Sequence, residues 1–162
     1  MSGDQFVVSA LASLHDRTQF ECGSTALDRY LRELVTQDVR RRVAACFVML
    51  DDNVVAGYYT LSAASIALAD LPRDVARKLP RYPAVPAICM GRLAVDLKYR
   101  GRGLGAALLV NALRRAAQSE IPAVALAVDA KDERAADFYR HFGFIQLGSD
   151  PLSLFLPLAT VR

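Results

Sequence analysis

The sequence predicts a single domain of the α/β (α+β) class. Short β-prone runs alternate with stretches of helical periodicity, a strand, a glycine-rich loop and a helix follow one another past the chain's midpoint, and two apolar runs of strand length close it. With 162 residues the chain suffices for one compact core and is too short for two ordinary domains, so one domain is expected over residues 1–162. Apolar residues make up 53% and charged residues 23%, the balance of a packed protein rather than a disordered one.

Each element follows from local pattern. Phe6 to Leu11 suits a first strand, and Phe20 to Ser24 is a turn with Gly23 and a capping Ser24. A helix starts there: Leu27, Tyr30, Leu31, Leu34 and Val35 recur on one face while Arg29, Arg32 and Glu33 look outward. Arg40, Arg41 and Arg42 suit its C-terminal end, where the aligned peptide dipoles favour cations. Ala45 to Leu50 and Val54 to Leu61 flank Asp51-Asp52-Asn53 and predict an antiparallel hairpin. Leu71 to Leu79 predicts a short helix with Pro72 in its first turn; Pro80, Pro83 and Pro86 then forbid regular structure and make a stiff loop carrying Arg81 and Tyr82. Ala87 to Val95 reads as a strand, Leu104 to Ser119 as a helix, and Ala123 to Val128 as a buried strand. Glu133 to Phe142 predicts a helix, with Phe144 to Leu147 and Leu152 to Leu156 as closing strands.

Several function classes fall away. No stretch approaches the roughly 20 apolar residues a membrane span needs, and Met1 to Leu14 lacks a basic flank before an apolar run, so the expected compartment is the cytoplasm and no membrane partner is expected. Cys22, Cys46 and Cys89 are odd in number and lack Cys-x-x-Cys spacing, and the histidines are His15 and His141, which argues against disulfides and metal sites. The cysteines read as small buried hydrophobes. Net charge is only +3, yet arginines crowd at Arg40 to Arg42, at Arg73, Arg77, Lys78 and Arg81, and at Arg92, Lys98, Arg100 and Arg102. A solvated basic surface is the plain reading of such crowding.

The glycine-rich loop carries chemistry. At a helix start several backbone N–H groups lack partners and the dipole adds partial positive charge, so an anion is welcome. Gly101, Gly103 and Gly105 remove side chains from the turn, Arg100 and Arg102 add cationic character, and a pyrophosphate fits both features. A nucleotidase P-loop needs Lys followed by Ser or Thr after its last glycine, where this chain has Ala106 and Ala107. Gly101-x-Gly103-x-x-Ala106 matches dinucleotide-fingerprint spacing, but only about 33 residues remain after Asp129, too few for a second half of that fold.

Arg100-x-x-Gly103-x-Gly105 after Leu93-Ala94-Val95, followed by Ala135-x-x-Phe138-Tyr139 and Phe142-Gly143-Phe144, resembles the GNAT superfamily of N-acetyltransferases. Four further segments resemble its toxin branch, found in bacterial toxin–antitoxin pairs that acetylate aminoacyl-tRNA. They are Phe20-Glu21-Cys22-Gly23 with Leu27-Asp28-Arg29-Tyr30-Leu31, Val55-Ala56-Gly57-Tyr58-Tyr59-Thr60-Leu61-Ser62, Leu79-Pro80-Arg81-Tyr82-Pro83-x-x-Pro86, and Gly91-Arg92-Leu93-Ala94-Val95-Asp96.

That resemblance implies a GNAT fold: a central mixed, mostly antiparallel twisted sheet of about six or seven strands flanked by about four helices. It implies acetyl-CoA as co-substrate, held by backbone of Leu93, Ala94 and Val95 along the thioester and pantetheine arm and by N–H groups of Arg100, Gly101, Arg102, Gly103, Leu104 and Gly105 at the pyrophosphate. It implies that Tyr139 protonates the departing thiolate, a role in which position matters more than tuning, since a phenol titrates near about 10. It also implies a homodimer held inactive by a ribbon-helix-helix antitoxin. One departure is Asp132, where the superfamily often has asparagine; a carboxylate cannot donate as an amide does.

An amine attacks a thioester only when neutral. Between Ile88 and Val95 the polar side chains are Cys89 and Arg92, with Asp96 at the exit, so the strand names no general base. An α-amine, at about 7.7–8.0, is already partly neutral where a lysine at about 10.4 is not, which fits an aminoacyl-tRNA acceptor. Arg77, Lys78, Arg81 and Arg92 are the expected tRNA-facing set, since phosphates reward clustered cations. The leading expectation is therefore a translation-blocking N-acetyltransferase of aminoacyl-tRNA. Its rivals are a GNAT enzyme for a small amine or a protein N-terminus, and a non-catalytic CoA-binding regulatory module.

Overall fold

The computed structural model describes residues 6–161. Among them the strands are β1 (Phe6–Ala10), β2 (Ala45–Asp51), β3 (Val54–Ala67), β4 (Ala84–Val95), β5 (Ala125–Asp129), β6 (Ile145–Gln146) and β7 (Ser153–Pro157). They form one seven-stranded sheet in the order β1-β2-β3-β4-β5-β7-β6. β1–β2, β2–β3, β5–β7 and β6–β7 pair antiparallel, and β4–β5 pair in parallel. The helices are α1 (Thr25–Arg29) and α2 (Val35–Arg40), joined by a π-helical turn over Tyr30–Leu34, then α3 (Arg73–Ala76), α4 (Leu104–Ala117) and α5 (Glu133–His141). Among the described residues no helix is long and apolar enough to cross a membrane. The chain divides into two compact units, one running to Ser62 and including Gly91–Ala112, the other comprising Ala63–Met90 and the residues from Leu113 onward.

In the first unit, Phe20, Tyr30, Leu31, Val35, Val48 and Tyr58 are central to one buried cluster. Of the helical face expected from Leu27 to Val35, Tyr30, Leu31 and Val35 are buried and Leu27 packs on their cluster, but Leu34 is exposed; Ser24 Oγ caps α1 by accepting the Leu27 N–H at 3.4 Å. The helix is not uniform, however. The Val35 N–H reaches back five residues to the Tyr30 carbonyl, which releases the Leu31 carbonyl that an α-helix would have used. Arg17 Nη1 donates to that released oxygen at 2.9 Å, so the widened turn leaves no orphan there.

The expected hairpin also forms. β2 and β3 pair from Asp51↔Val54 to Ala45↔Leu61, around Asp52 at φ +54°. Gly57, opposite Met49, stands where a side chain has no room: a Cβ there would lie 2.8 Å from Leu108 Cδ1 and 3.0 Å from the Ala94 carbonyl oxygen. Strand and helix close onto each other over that missing side chain.

The second unit has its own cluster, built on Ile66, Leu71, Val85, Ala87, Ala125 and Phe155. Here the structure corrects two boundaries. β3 runs past Leu61 to Ala67 although Ser62 to Ser65 are poor β-formers by side chain, because sheet context and the buried Ile66 outweigh their propensity. β4 starts at Ala84 and contains Pro86, which the sequence assigns to irregular loop. The Pro86 carbonyl accepts the Val124 N–H at 2.9 Å, so the residue serves the sheet as an acceptor and its missing N–H is not called on.

Gly57→Ala should destabilise the protein by about 1–3 kcal/mol, because backbone and a packed leucine both stand within contact of the new methyl group. Urea unfolding measures this, and an unchanged midpoint would contradict the close approach.

Candidate functional site

β4 ends in Leu93, Ala94 and Val95, of which Ala94 is buried and the others half-buried. Asp96 then turns the chain. The residue is 2% exposed; its carboxylate accepts the Glu21 N–H at 3.1 Å and the Lys98 N–H at 2.8 Å, while its own N–H donates to the Ala56 carbonyl at 2.8 Å. Burying a carboxylate is costly unless it is bonded, and these donors offset that cost. A 3-10 turn over Leu97–Tyr99 follows, pinned by Tyr99 Oη donating to Asp51 Oδ2 at 2.8 Å. Burial, with the Asp51 hydrogen bond next in weight, pushes the Tyr99 phenol up to about 12.

The loop Arg100–Gly103 leads straight into α4. Gly101 (φ +79°) and Gly103 (φ +73°) adopt the left-handed conformation that side chains resist, yet nothing lies within 4 Å of a Cβ built at either. The glycines are required by backbone shape, and the space above them is open. The Ala107 N–H donates to the Gly103 carbonyl at 3.1 Å, so the amides just before it are those a helix leaves without internal partners. No carboxylate sits in the first turn, and Arg100 and Arg102 are exposed, the Arg102 guanidinium 5.6 Å from the Tyr99 ring centroid. A diphosphate suits such a helix mouth, and the residues present fit a CoA pyrophosphate.

In the second unit, Tyr139 lies on α5 with its ring buried. Asp132, the departure from the expected asparagine, is the N-cap of α5: its Oδ1 accepts the Ala135 N–H at 2.8 Å. At the other end Gly143 (φ +96°) closes the helix. Its N–H donates to the Arg140 carbonyl at 2.9 Å and the Phe144 N–H to the Tyr139 carbonyl at 3.3 Å, the paired bonds of a glycine C-cap. The Phe-Gly-Phe motif thereby brings the Phe144 ring to 5.5 Å from that of Tyr139, with Phe138 at 5.4 Å. Burial chiefly, and the neighbouring Cys89 less, pushes the Tyr139 phenol up to about 12, so it holds its proton throughout the neutral range. Among the described residues no hydrogen bond engages its hydroxyl and no buried polar side-chain atom is left unsatisfied, so that oxygen keeps access to solvent.

The arginines separate. Arg77 and Arg81 line one cavity of the second unit, of about 700 Å³, together with Arg73. Lys78 lines a neighbouring apolar cavity of about 460 Å³ with Leu71, Val75 and Phe155. Arg92, in the first unit, is half-buried with its guanidinium 3.4 Å above the Tyr30 ring. Cys46 is buried as expected and its thiol is pushed up to about 12 by desolvation, whereas Cys22 and Cys89 are half-buried. His15 Nδ1 accepts the Ala12 N–H at 3.0 Å. Among the described residues no group of His, Cys, Asp and Glu is arranged to hold a metal ion.

Asp96 is the residue that sequence reasoning undervalued, treating it only as a general base that is out of place. The signal was available: an acid directly after a buried strand and two residues before Lys98 is a turn-capping position. Asp96→Ala should lower stability by about 2 kcal/mol, since buried N–H groups lose a charged acceptor. Chemical denaturation tests it, and a loss below a few tenths would show the clamp to be dispensable.

Similar proteins have the same organisation. The chain is 39% identical over 154 residues to the tRNA-acetylating toxin of Mycobacterium tuberculosis (strain ATCC 25618 / H37Rv), covering 94% of this chain and 92% of that one. Its structure resembles AtaT complexed with acetyl-methionyl-tRNAfMet, with a TM-score of 0.91, 28% identity and 96% of each chain covered. It also resembles a mutant AtaT toxin bound to the C-terminus of the antitoxin AtaR and acetyl-CoA, with a TM-score of 0.82 and 25% identity over 98% of this chain and 96% of that one. The Acetyltransferase (GNAT) family matches residues 8–144, a span that contains the glycine loop, the Asp96 turn and Tyr139, and this chain belongs to it.

Proposed function

We propose that the chain is an acetyl-CoA-dependent N-acetyltransferase toxin, a single domain over residues 1–162, that acetylates the α-amine of aminoacyl-tRNA and blocks translation. The observation that carries this reading is the likeness to AtaT in complex with acetyl-methionyl-tRNAfMet across 96% of both chains. The relative whose structure includes the antitoxin AtaR supports an antitoxin partner, and we extend this to a ribbon-helix-helix antitoxin, a homodimer and a cytoplasmic location.

Bound acetyl-CoA supplies an acetyl thioester. In the proposed assignment the backbone of Leu93, Ala94 and Val95 takes the thioester and pantetheine arm, and the N–H groups of Arg100, Gly101, Arg102, Gly103, Leu104 and Gly105 take the pyrophosphate. The acceptor amine forms the new N–C bond as the C–S bond breaks, Tyr139 gives its Oη proton to the leaving sulfur, and the amine's proton leaves to water. Arg77, Lys78, Arg81 and Arg92 are the proposed tRNA contacts. For Arg92 the contact is made from the guanidinium face opposite the Tyr30 ring.

Mass spectrometry of aminoacyl-tRNA after incubation with enzyme and acetyl-CoA tests the reading. Wild type should yield N-acetyl-aminoacyl-tRNA, and Tyr139→Phe should lower kcat about 100-fold at unchanged acetyl-CoA affinity. Equal yields would remove Tyr139 from the reaction, and no product from wild type would sink the acceptor.

The pH profile carries a second test. Tyr139 works while protonated, and its pKa is raised to about 12, so its acid form persists well above neutrality. Initial rates should rise with pH as the acceptor amine becomes neutral, near about 7.7–8.0 or lower, then stay level to about pH 10. An alkaline limb centred below that would rule out a phenol with so high a pKa as the acid.

A further inference from the structure

We propose that the cavity beside α3 seats the single-stranded end of an RNA, its arginines meeting phosphates and Tyr82 stacking on a base. This rests on the reading of the acceptor as an aminoacyl-tRNA. It adds Arg73 and Tyr82 to that reading and gives each a separate task.

Several arginines elsewhere in the chain are committed to the fold. Arg17 holds the Leu31 carbonyl, Arg32 donates to the Phe20 carbonyl at 2.6 Å, and Arg140 pairs with Glu133 and Asp137. Arg73, Arg77 and Arg81 are exposed and, among the described residues, take part in no ion pair or side-chain hydrogen bond. They line a common cavity of about 700 Å³, within the roughly 300–1,000 Å³ typical of ligand sites. Asp74 is the only acid in that lining, so a surplus of positive charge faces the space. Guanidiniums are charged at any working pH and match phosphate geometry with paired donors, which suits a polyanion that threads past several of them.

Tyr82 supplies what charge cannot. It follows Arg81 directly and is 63% exposed, the one exposed Phe or Tyr among the described residues. Its loop is held rather than loose. Pro80 and Pro83 fix φ on either side, the Tyr82 N–H donates to the Pro80 carbonyl at 2.9 Å, and the Leu68 N–H donates to the Pro83 carbonyl at 3.0 Å. A flat ring presented on a stiff loop beside phosphate-binding cations is the arrangement that recognises unpaired nucleotides, whose π-faces are free only where the strand is single. An acidic peptide would use the arginines and leave the ring without a partner, so the geometry favours RNA.

The test reads binding without acetyl-CoA. Fluorescence anisotropy compares a labelled RNA minihelix carrying a single-stranded 3′ tail with the same duplex made blunt. Tyr82→Ala should weaken binding of the tailed RNA about tenfold and leave blunt binding unchanged, while Tyr82→Phe stays within about twofold of wild type. Replacing Arg73, Arg77 and Arg81 together by Gln should flatten the slope of log affinity against log salt by about 2. Thermal melting of each variant confirms that it is folded. Unchanged affinity of Tyr82→Ala for the tailed RNA, or an equal loss on blunt RNA, would overturn the seat, as would arginine variants that bind RNA normally and lose only a polyglutamate peptide. A wild type that prefers the tailed RNA, loses that preference in Tyr82→Ala and acetylates no aminoacyl-tRNA would overturn the reaction and uphold the seat.

Discussion

The buried carboxylate of Asp96 is the constraint on which the glycine loop depends. A strand that ends in the core must release its chain in one direction if the next residues are to bind anything, and aliphatic packing alone tolerates several exits. Asp96 removes the choice by accepting N–H groups from Glu21, far away in sequence, and from Lys98, just ahead. Its own N–H on the Ala56 carbonyl ties the same residue to β3. Desolvation makes the arrangement exclusive: any other exit leaves a charged group in the interior without donors. With Tyr99 anchored on Asp51, the left-handed glycines begin from a fixed point, and the first amides of α4 are presented together instead of fraying.

Tyr139 is fixed by a different economy, that of helix ends. α5 has nine residues, too few to be stable by propensity alone, so its caps and its packing decide where the phenol stands. Asp132 closes one end and Gly143 the other, and the turn made by that glycine brings Phe144 against the ring. The same aromatic enclosure that orients the phenol also desolvates it, which is why its pKa rises. For the proton transfer proposed above, a weaker acid in the ground state is a sound source when the base appears only as the C–S bond lengthens, because nothing removes the proton earlier. Placement then contributes more than acidity, in line with a residue whose neighbours are rings rather than charges.

Features of this molecule that depend on a few consecutive residues were legible in the sequence. The helical face from Leu27 to Val35, the Asp51 to Asn53 hairpin and the glycine loop rest on spacing and backbone conformation, and the structure has them, except that Leu34 leaves the buried face. What escaped depends on partners remote in sequence. The π turn is stable because Arg17 waits for the Leu31 carbonyl, β4 accommodates Pro86 because Val124 asks only for its carbonyl, and β3 continues through Ser62 and Ala63 because sheet neighbours outweigh weak propensity. Arginine clustering misled in the same way. Arg77, Arg81 and Arg92 look alike in a list of charges, yet two line an open cavity and the third lies on a tyrosine ring, a distinction that only packing makes.

The same packing bears on which amine the enzyme is suited to accept. Of the side chains on and just beyond the last turn of β4 that carry charge, Arg92 is stacked on Tyr30 and Asp96 is saturated by backbone donors, so neither is placed to take a proton from an incoming ammonium. If neither side chain serves as base, the proposed reaction bears the cost of presenting a neutral nucleophile. For a lysine that cost exceeds the one for an α-amine by about 3 kcal/mol, the difference between pKa values near 10.4 and near 8. An amine beside an ester carbonyl has a lower pKa still, and its cost at neutral pH shrinks accordingly. The strand's lack of a base thus acts as a filter on acceptors. In the proposed reaction, a phenol that keeps its proton through the neutral range and a strand that offers no proton acceptor favour a nucleophile that arrives already deprotonated, as the amine of an aminoacyl ester does.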